Sequence, residues 1–322
     1  MGDKLIVDLR EGERIEGQYM IRELKLTPFR GKPGNFLSIT MGDRTGTLDA
    51  KVWENAEKVA SKLKAGLVIK VEGMVNSYRD QLQLKIDKLE KVKGEIRAED
   101  FMESSPRDPE EMKSALKEMI ASIRNPHLEK LLKGFFSDTG FLDAFFKAPA
   151  AKKMHQAYLG GLLEHSLNVA AVAHSLSEVY GFVDRDLLIT GALLHDIGKV
   201  DEYDYSTNID YTLKGRLLGH IVMGAEMVGE KMEAIQDFPE ELKLKMVHMI
   251  ISHHGQYEWQ SPKRPKFLEA MLLHQADYLD SHICYFHEYQ GEGIVFSKPL
   301  GRYIYSGEKE AAVGKEHDKK DK

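Results

Sequence analysis

The sequence predicts a multidomain protein, an N-terminal all-β barrel followed by a C-terminal all-α domain. Residues 13–92 fall into short runs of alternating apolar and polar side chains, separated by turn residues. Residues 128–283 place apolar side chains at helical spacing almost throughout. Between these regions, residues 93–111 are charged, carry Pro106 and Pro109, and lack periodicity. A chain of 322 residues is long enough to build a core on each side of such a connector.

In the first region, Arg14 to Lys25 reads as one long strand with imperfect alternation. Asn35 to Met41 alternates, Gly42-Asp43-Arg44-Thr45-Gly46 supplies turn chemistry, and Thr47 to Trp53 alternates again. Asn55 can cap a short helix running to about Leu63, with Gly66 as its stop. Leu67 to Val75 and Gln81 to Leu89 make a second hairpin around Ser77-Tyr78-Arg79-Asp80. Three strands, a helix and two strands are the order of an OB-fold, a small barrel that often binds oligonucleotides.

The strand faces carry a functional hint. If the turn sets Met41 near Leu48, then Phe36 falls beside Trp53 and Ser38 beside Lys51, all on the non-core face. Two aromatic rings and a cation together suit the stacking of single-stranded bases. Phe29, Arg30 and Lys32, in the segment before the second strand, can extend this platform. The competing reading is that Phe36 and Trp53 pack under a loop or against the second domain. Tyr78 and Arg79 read equally well as solvated turn residues.

The second domain opens on a helix marked by Met112, Leu116, Met119, Ile120 and Ile123. Within it, Tyr203, Tyr205, Ile209 and Tyr211 fall at odd positions around Asn208, which predicts a short hairpin. The expected organisation is a barrel over 1–93, a linker over 94–111, a helical domain over 112–306 and a disordered tail over 307–322. Charged residues from Asp3 onward predict no signal peptide, and no apolar run approaches the length of about 18 residues expected of a membrane span. A single cysteine, Cys284, excludes an internal disulfide. These features predict a soluble, cytoplasmic protein with no membrane partner. The net charge of −6 confines any polyanion site to a local patch.

The chemistry is concentrated in Leu193-Leu194-His195-Asp196-Ile197-Gly198-Lys199. Adjacent histidine and aspartate at the end of an apolar run are costly to bury unless paired or coordinated. On a helix they point about 100° apart, so both can reach metals lying across the axis. Lys199 lies three residues beyond Asp196, and Gly198 reads as a helix stop. His165, His220, the pair His253-His254 and Asp277 each sit in or beside another apolar, helix-like run. Any one of these histidines alone is more often a hydrogen-bonded core residue than a ligand. His274, one turn before Asp277, fits a supporting role or plain core, and Lys214 and Arg216 fit phosphate contacts or solvated charges.

The order H…HD…H…HH…D resembles the HD-domain superfamily of metal-dependent phosphohydrolases. The words Gly160-Gly161-Leu162-Leu163-Glu164-His165 and Tyr211-Thr212 leading to Leu217-Leu218-Gly219-His220-Ile221 are similar to those of the YhaM-type 3′–5′ exoribonucleases. The resemblance covers nearly the whole chain, OB-fold followed by HD domain. It implies two divalent metal ions, with Asp196 offering one oxygen to each. His165, His195, Asp196 and Asp277 would hold one ion, and Asp196, His220, His253 and His254 the other. Imidazoles and carboxylates without thiols suit manganese, iron, cobalt or zinc without choosing among them; the expectation is manganese or cobalt, with iron, zinc or magnesium as alternatives. A metal-bridging hydroxide would attack the phosphodiester, and Lys199 would neutralise charge on a phosphate oxygen. His155 matches a histidine that precedes the first ligand in this family, although the second histidine often found there is replaced by Gln156.

The implied activity is hydrolysis of single-stranded RNA from its 3′ end to nucleoside 5′-monophosphates. Single-stranded DNA is a second candidate partner, because no residue can be identified as reading a 2′-hydroxyl. The alternatives are a phosphohydrolase of nucleotides or cyclic dinucleotides, and a non-catalytic nucleic-acid-binding protein. The barrel argues against the first alternative and the intact ligand set against the second.

Overall fold

The structure is a computed structural model that describes residues 4–29, 31, 33–78, 81–94, 97, 100–152, 156–205, 208–288, 293–297 and 300–305. Arg30, Lys32, Arg79, His155 and the tail over 307–322 lie outside the described residues.

The first domain is built from β1 (Arg14–Pro28), β2 (Asn35–Asp43), β3 (Gly46–Val52), α1 (Ala56–Ala60), β4 (Val68–Tyr78) and β5 (Gln81–Lys91). The strands close in the order β1-β2-β3-β5-β4, with β3 parallel to β5 and β1 antiparallel to both β2 and β4. This is the OB-fold barrel that the element order predicts. The imperfect alternation of β1 has a cause in its register, which shifts between Ile21 and Glu23. Such a bulge lets one long strand bend and serve two partners. Tyr19 and Ile21 point into the core with Leu37, Ile39, Met41, Val71 and Leu84. Met20, on the opposite face, meets Val68 and Phe101.

Phe101 and Met102 belong to the charged connector, and both are buried. The connector is therefore a packed element. Ser105 N–H donates to Leu159 O at 2.8 Å, and Leu159 N–H donates to Glu103 O at 2.9 Å.

The second domain begins with α2 (Pro109–Ala121), three residues ahead of the periodic stripe at Met112. Asp108 explains the start, because its carboxylate accepts from the N–H groups of Glu110 and Glu111, and Pro109 suits the first helical position. There follow α3 (Pro126–Phe136), α4 (Thr139–Lys147), α5 (Gly161–Val179), α6 (Arg185–Leu194) and α7 (Lys199–Glu202). The predicted hairpin is β6 (Tyr203–Asp204) with β7 (Asp210–Tyr211), pairing Tyr203 with Tyr211. The chain continues through α8 (Leu213–Glu233), α9 (Glu240–Ser252) and α10 (Leu268–Glu288). A terminal hairpin, β8 (Ile294–Ser297) with β9 (Arg302–Tyr305), is an addition to the predicted all-helical domain. Its runs are only four residues each, too short for alternation to declare itself. No described helix is long and apolar enough to cross a membrane.

Helices α5, α6, α9 and α10 pack around one core that includes Leu162, Leu163, Leu188, Leu193, Met249 and Leu273. Each such side chain contributes about 1.5–3 kcal/mol on burial, so the helices that carry the polar residues are held in place by apolar packing.

Candidate active site

The polar cluster is assembled from five places along the chain, two of them built alike. His195 caps the C-terminal end of α6 and Asp196 follows it; His253 caps the end of α9 and His254 follows it. His195 Nδ1–H donates to Ala192 O at 2.8 Å, and His253 Nδ1–H donates to Ile250 O at 2.7 Å. Each imidazole thus satisfies a carbonyl that the ending helix would leave open, and its Nε2 points inward. Gly198 does not stop the helix, which already ends at Leu194. Its function is clearance: a Cβ there would stand 2.2 Å from His220 O.

His165 projects from the first turn and a half of α5, and Asp277 from the middle of α10. His220 follows Gly219, whose φ of 74° and ψ of 157° break α8 and turn the histidine toward the cluster. The other three ring nitrogens are fixed in the same manner. Nδ1 of His165 lies 2.7 Å from Asp280 Oδ2, Nδ1 of His220 lies 3.1 Å from Glu202 Oε1, and His254 Nδ1–H donates to Trp259 O at 2.7 Å. With carbonyls and carboxylates as acceptors, Nδ1 of each ring is the donor, which aims Nε2 of all five rings into the cluster.

Two groups result. His165, His195 and Asp277 bring their donor atoms within 4.8 Å of one another, and so do His220, His253 and His254. Asp196 stands between them. Its Oδ2 lies 3.5 Å from His165 Nε2 and 3.4 Å from His195 Nε2, while its Oδ1 lies 3.5 Å from both His220 Nε2 and His253 Nε2. Asp196 Oδ1, His220 Nε2 and His253 Nε2 are buried without a hydrogen-bond partner among the described residues. Three lone pairs converging on one buried point repel one another unless a cation sits between them. The donor set fits divalent metal ions.

The electrostatics agree with that. Burial raises the Asp196 carboxyl, yet Lys199 and His195 outweigh it and hold the group well below the usual carboxylate range. Asp277 is depressed likewise, against burial, chiefly by its hydrogen bond with His165. Burial and the neighbouring imidazoles push His254 down to about 3, and burial lowers His253 as well. Anionic carboxylates and neutral imidazoles are the protonation states that ligands need. His165 is the exception, since Asp277 and Asp280 overcome its burial and push it up to about 9. A proton there occupies the place a metal cation would take.

Lys199 does not stand free in the cleft. Its Nζ lies 2.5 Å from Asp196 Oδ2, and the side chain is buried. A cleft of about 320 Å³ opens above these groups, lined by Asp196, Lys199, Tyr203, Trp259, Asp277 and Tyr278 among others. His274 supports His253 from behind, donating from Nδ1 to its main-chain O at 2.8 Å. Arg216 is engaged by Asp210 at 2.8 Å and lies over the Tyr211 ring.

Glu202 and Asp280, the carboxylates behind His220 and His165, escaped the sequence reading. Asp280 had a signal, standing one turn beyond Asp277 on α10. Glu202 had none, because it reaches His220 only through the packing of α7 on α8.

In the barrel, the β2–β3 register pairs Met41 with Leu48 and Ser38 with Lys51. Phe36 and Trp53 consequently stack with centroids 5.0 Å apart, Phe29 lies 6.1 Å from Trp53, and Lys51 Nζ stands 5.6 Å over the Phe36 ring. Trp53 remains 44% exposed, so the rings form an open surface.

Residues 19–92 match the OB-fold nucleic acid binding domain family, and residues 162–282 match the HD domain family. The 3′–5′ exoribonuclease YhaM of Listeria welshimeri is 34% identical over 284 residues, covering 87% of this chain and 89% of that protein. The YhaM protein of Shouchella clausii is 34% identical over 85% of each chain, and that of a Geobacillus species 35% identical over 86% of this chain and 85% of its own. With both domains matched in order and this identity maintained across them, the chain belongs to the YhaM family of 3′–5′ exoribonucleases.

Proposed function

We propose that this protein is a metal-dependent hydrolase that shortens single-stranded RNA from its 3′ end, releasing nucleoside 5′-monophosphates, with single-stranded DNA as a second substrate. The observation that carries the reading is the set of unpartnered, buried donor atoms of Asp196, His220 and His253, facing one another below an open cleft. Two divalent ions, manganese or cobalt first, fit the two groups on either side of Asp196. When bound, they lower the pKa of water and neutralise charge on the attacking and leaving oxygens of a phosphodiester.

The chain's own residues do the rest. Asp196 couples the groups through its two oxygens. Asp280 and Glu202 hold the rings of His165 and His220 in orientation. Lys199 supplies a positive charge at the cleft wall, and an arriving phosphate competes with Asp196 for its ammonium. Phe36, Trp53 and Phe29 offer flat faces to unpaired bases, and Lys51 offers a cation to their phosphates. Arg30 and His155 are candidate contacts to the strand on the same reading.

The test is incubation of the metal-supplemented protein with RNA labelled at its 5′ end and, separately, with mononucleotides. A descending ladder from the labelled RNA supports the proposal. Phosphate release from mononucleotides without RNA shortening would replace it with a nucleotide phosphohydrolase, and binding without turnover would sink both.

A further inference from the structure

We propose that Trp259 is a stacking platform for the base of the nucleotide being removed, forming a subsite inside the HD cleft distinct from the barrel rings. The inference deepens the ribonuclease reading and rests on it.

Trp259 ends a single 3-10 turn, Tyr257–Trp259, and Gln260 follows in the left-handed region with φ of 65°. Tyr278 covers one side of the indole, with centroids 5.7 Å apart and planes 13° from parallel. The tryptophan is nevertheless 48% exposed and lines the cleft. A large apolar ring backed on one side and open on the other is poorly explained by packing alone. The Tyr278 ring continues to His282, one turn further along α10, whose centroid lies 3.7 Å away.

The wall is tied to the candidate ligands at two points. Tyr278 directly follows Asp277 in α10. The main-chain carbonyl of Trp259 accepts from Nδ1 of His254 at 2.7 Å, so ring and ligand keep a fixed separation. A base laid on the indole would be positioned relative to the metal groups without any hydrogen bond to its edge. The cleft volume of about 320 Å³ is at the small end of ligand sites, which suits one nucleotide. An aromatic face accepts every base, so the subsite requires a base without selecting which one.

The chain holds two tryptophans, so in a Trp53→Phe background Trp259 is the sole indole. The metal-loaded variant is titrated with adenosine 5′-monophosphate and with ribose 5-phosphate. Saturable change of the Trp259 emission by the first and none by the second is expected. No change with the nucleotide, or equal change with the baseless sugar, overturns the proposal.

A second measurement compares RNA ending in an ordinary nucleotide with RNA ending in an abasic ribose. The wild-type protein should prefer the base-bearing end by about tenfold in kcat/KM, the range expected of one base–aromatic stack. Trp259→Ala should lose that preference and Trp259→Phe should keep most of it. A Trp259→Ala variant slowed equally on both ends, with the preference intact, would make the residue structural and refute the subsite. Failure of the ribonuclease reading itself would appear separately, as no shortening of any RNA by the wild-type protein.

Discussion

Glu202 accepts two hydrogen bonds from one residue, the main-chain N–H of His220 at 2.9 Å and its ring Nδ1–H at 3.1 Å. The first fixes the backbone just past the break at Gly219, and the second fixes the ring. Burial raises the Glu202 carboxyl, but His220 outweighs it and keeps the group ionised. Loss of a carboxylate behind a ligating histidine typically costs 10–100-fold in metal affinity. Glu202→Ala should therefore raise the metal concentration needed for half-maximal turnover by about that factor, with much of the rate recovered at saturation. A rate that stays low at saturating metal would mean Glu202 has a direct part in the chemistry.

Asp196→Ala removes the only carboxylate among the described residues that faces both ligand groups. It should abolish hydrolysis and release at least one bound ion, measured by elemental analysis of the purified protein. Full metal content with normal turnover would end the two-ion reading. Asp196→Asn is a weaker test, because an amide oxygen can still coordinate on one side.

Lys199 is paired with Asp196 in the interior, so its role divides between the two states of the site. Lys199→Ala should lower turnover while leaving metal content nearly intact, since an ammonium is not a ligand. In metal-stripped protein the same change leaves a buried carboxylate without its partner, a loss of about 3–5 kcal/mol. Denaturant melts of stripped and loaded protein should show a large destabilisation in the first and a small one in the second. Metal loss in the variant would show that the lysine is needed to build the site.

The barrel platform is tested by substrate length. Trp53→Ala should weaken binding of long single-stranded RNA about tenfold or more, because one base–aromatic stack is worth about 1–3 kcal/mol. A short oligonucleotide that reaches only the HD cleft should be cut at nearly the wild-type rate. Lys51→Ala should weaken long-RNA binding and flatten its salt dependence, as one fewer counterion is released. Equal losses on short and long substrates in a folded Trp53 variant would assign the rings to structural packing.

Both domains can be read from local order in the sequence, and most of the cluster from the resemblance of its residue order to the HD-domain superfamily. The Gly42–Gly46 turn sets the β2–β3 register, and alternation then places Phe36 beside Trp53 and Ser38 beside Lys51. A two-residue side-chain period carries that information along the strand without help from the rest of the fold. His195-Asp196 and His253-His254 are also marked in the sequence, because each pair sits beside an apolar, helix-like run. What tertiary structure alone decides is which groups meet across long separations. Glu202 reaches His220 because α7 docks on α8 with only glycine clearance at Gly198. Trp259 becomes a cleft wall because α10 carries Tyr278 behind it, and Lys199 turns onto Asp196 instead of into solvent because both are buried together. The charged connector carries packed residues that its lack of periodicity does not announce, since Met20 and Val68 leave an apolar strip outside the barrel that Phe101 covers. Periodicity reports which face of an element is apolar; the partner of that face is settled by the packing of the whole chain.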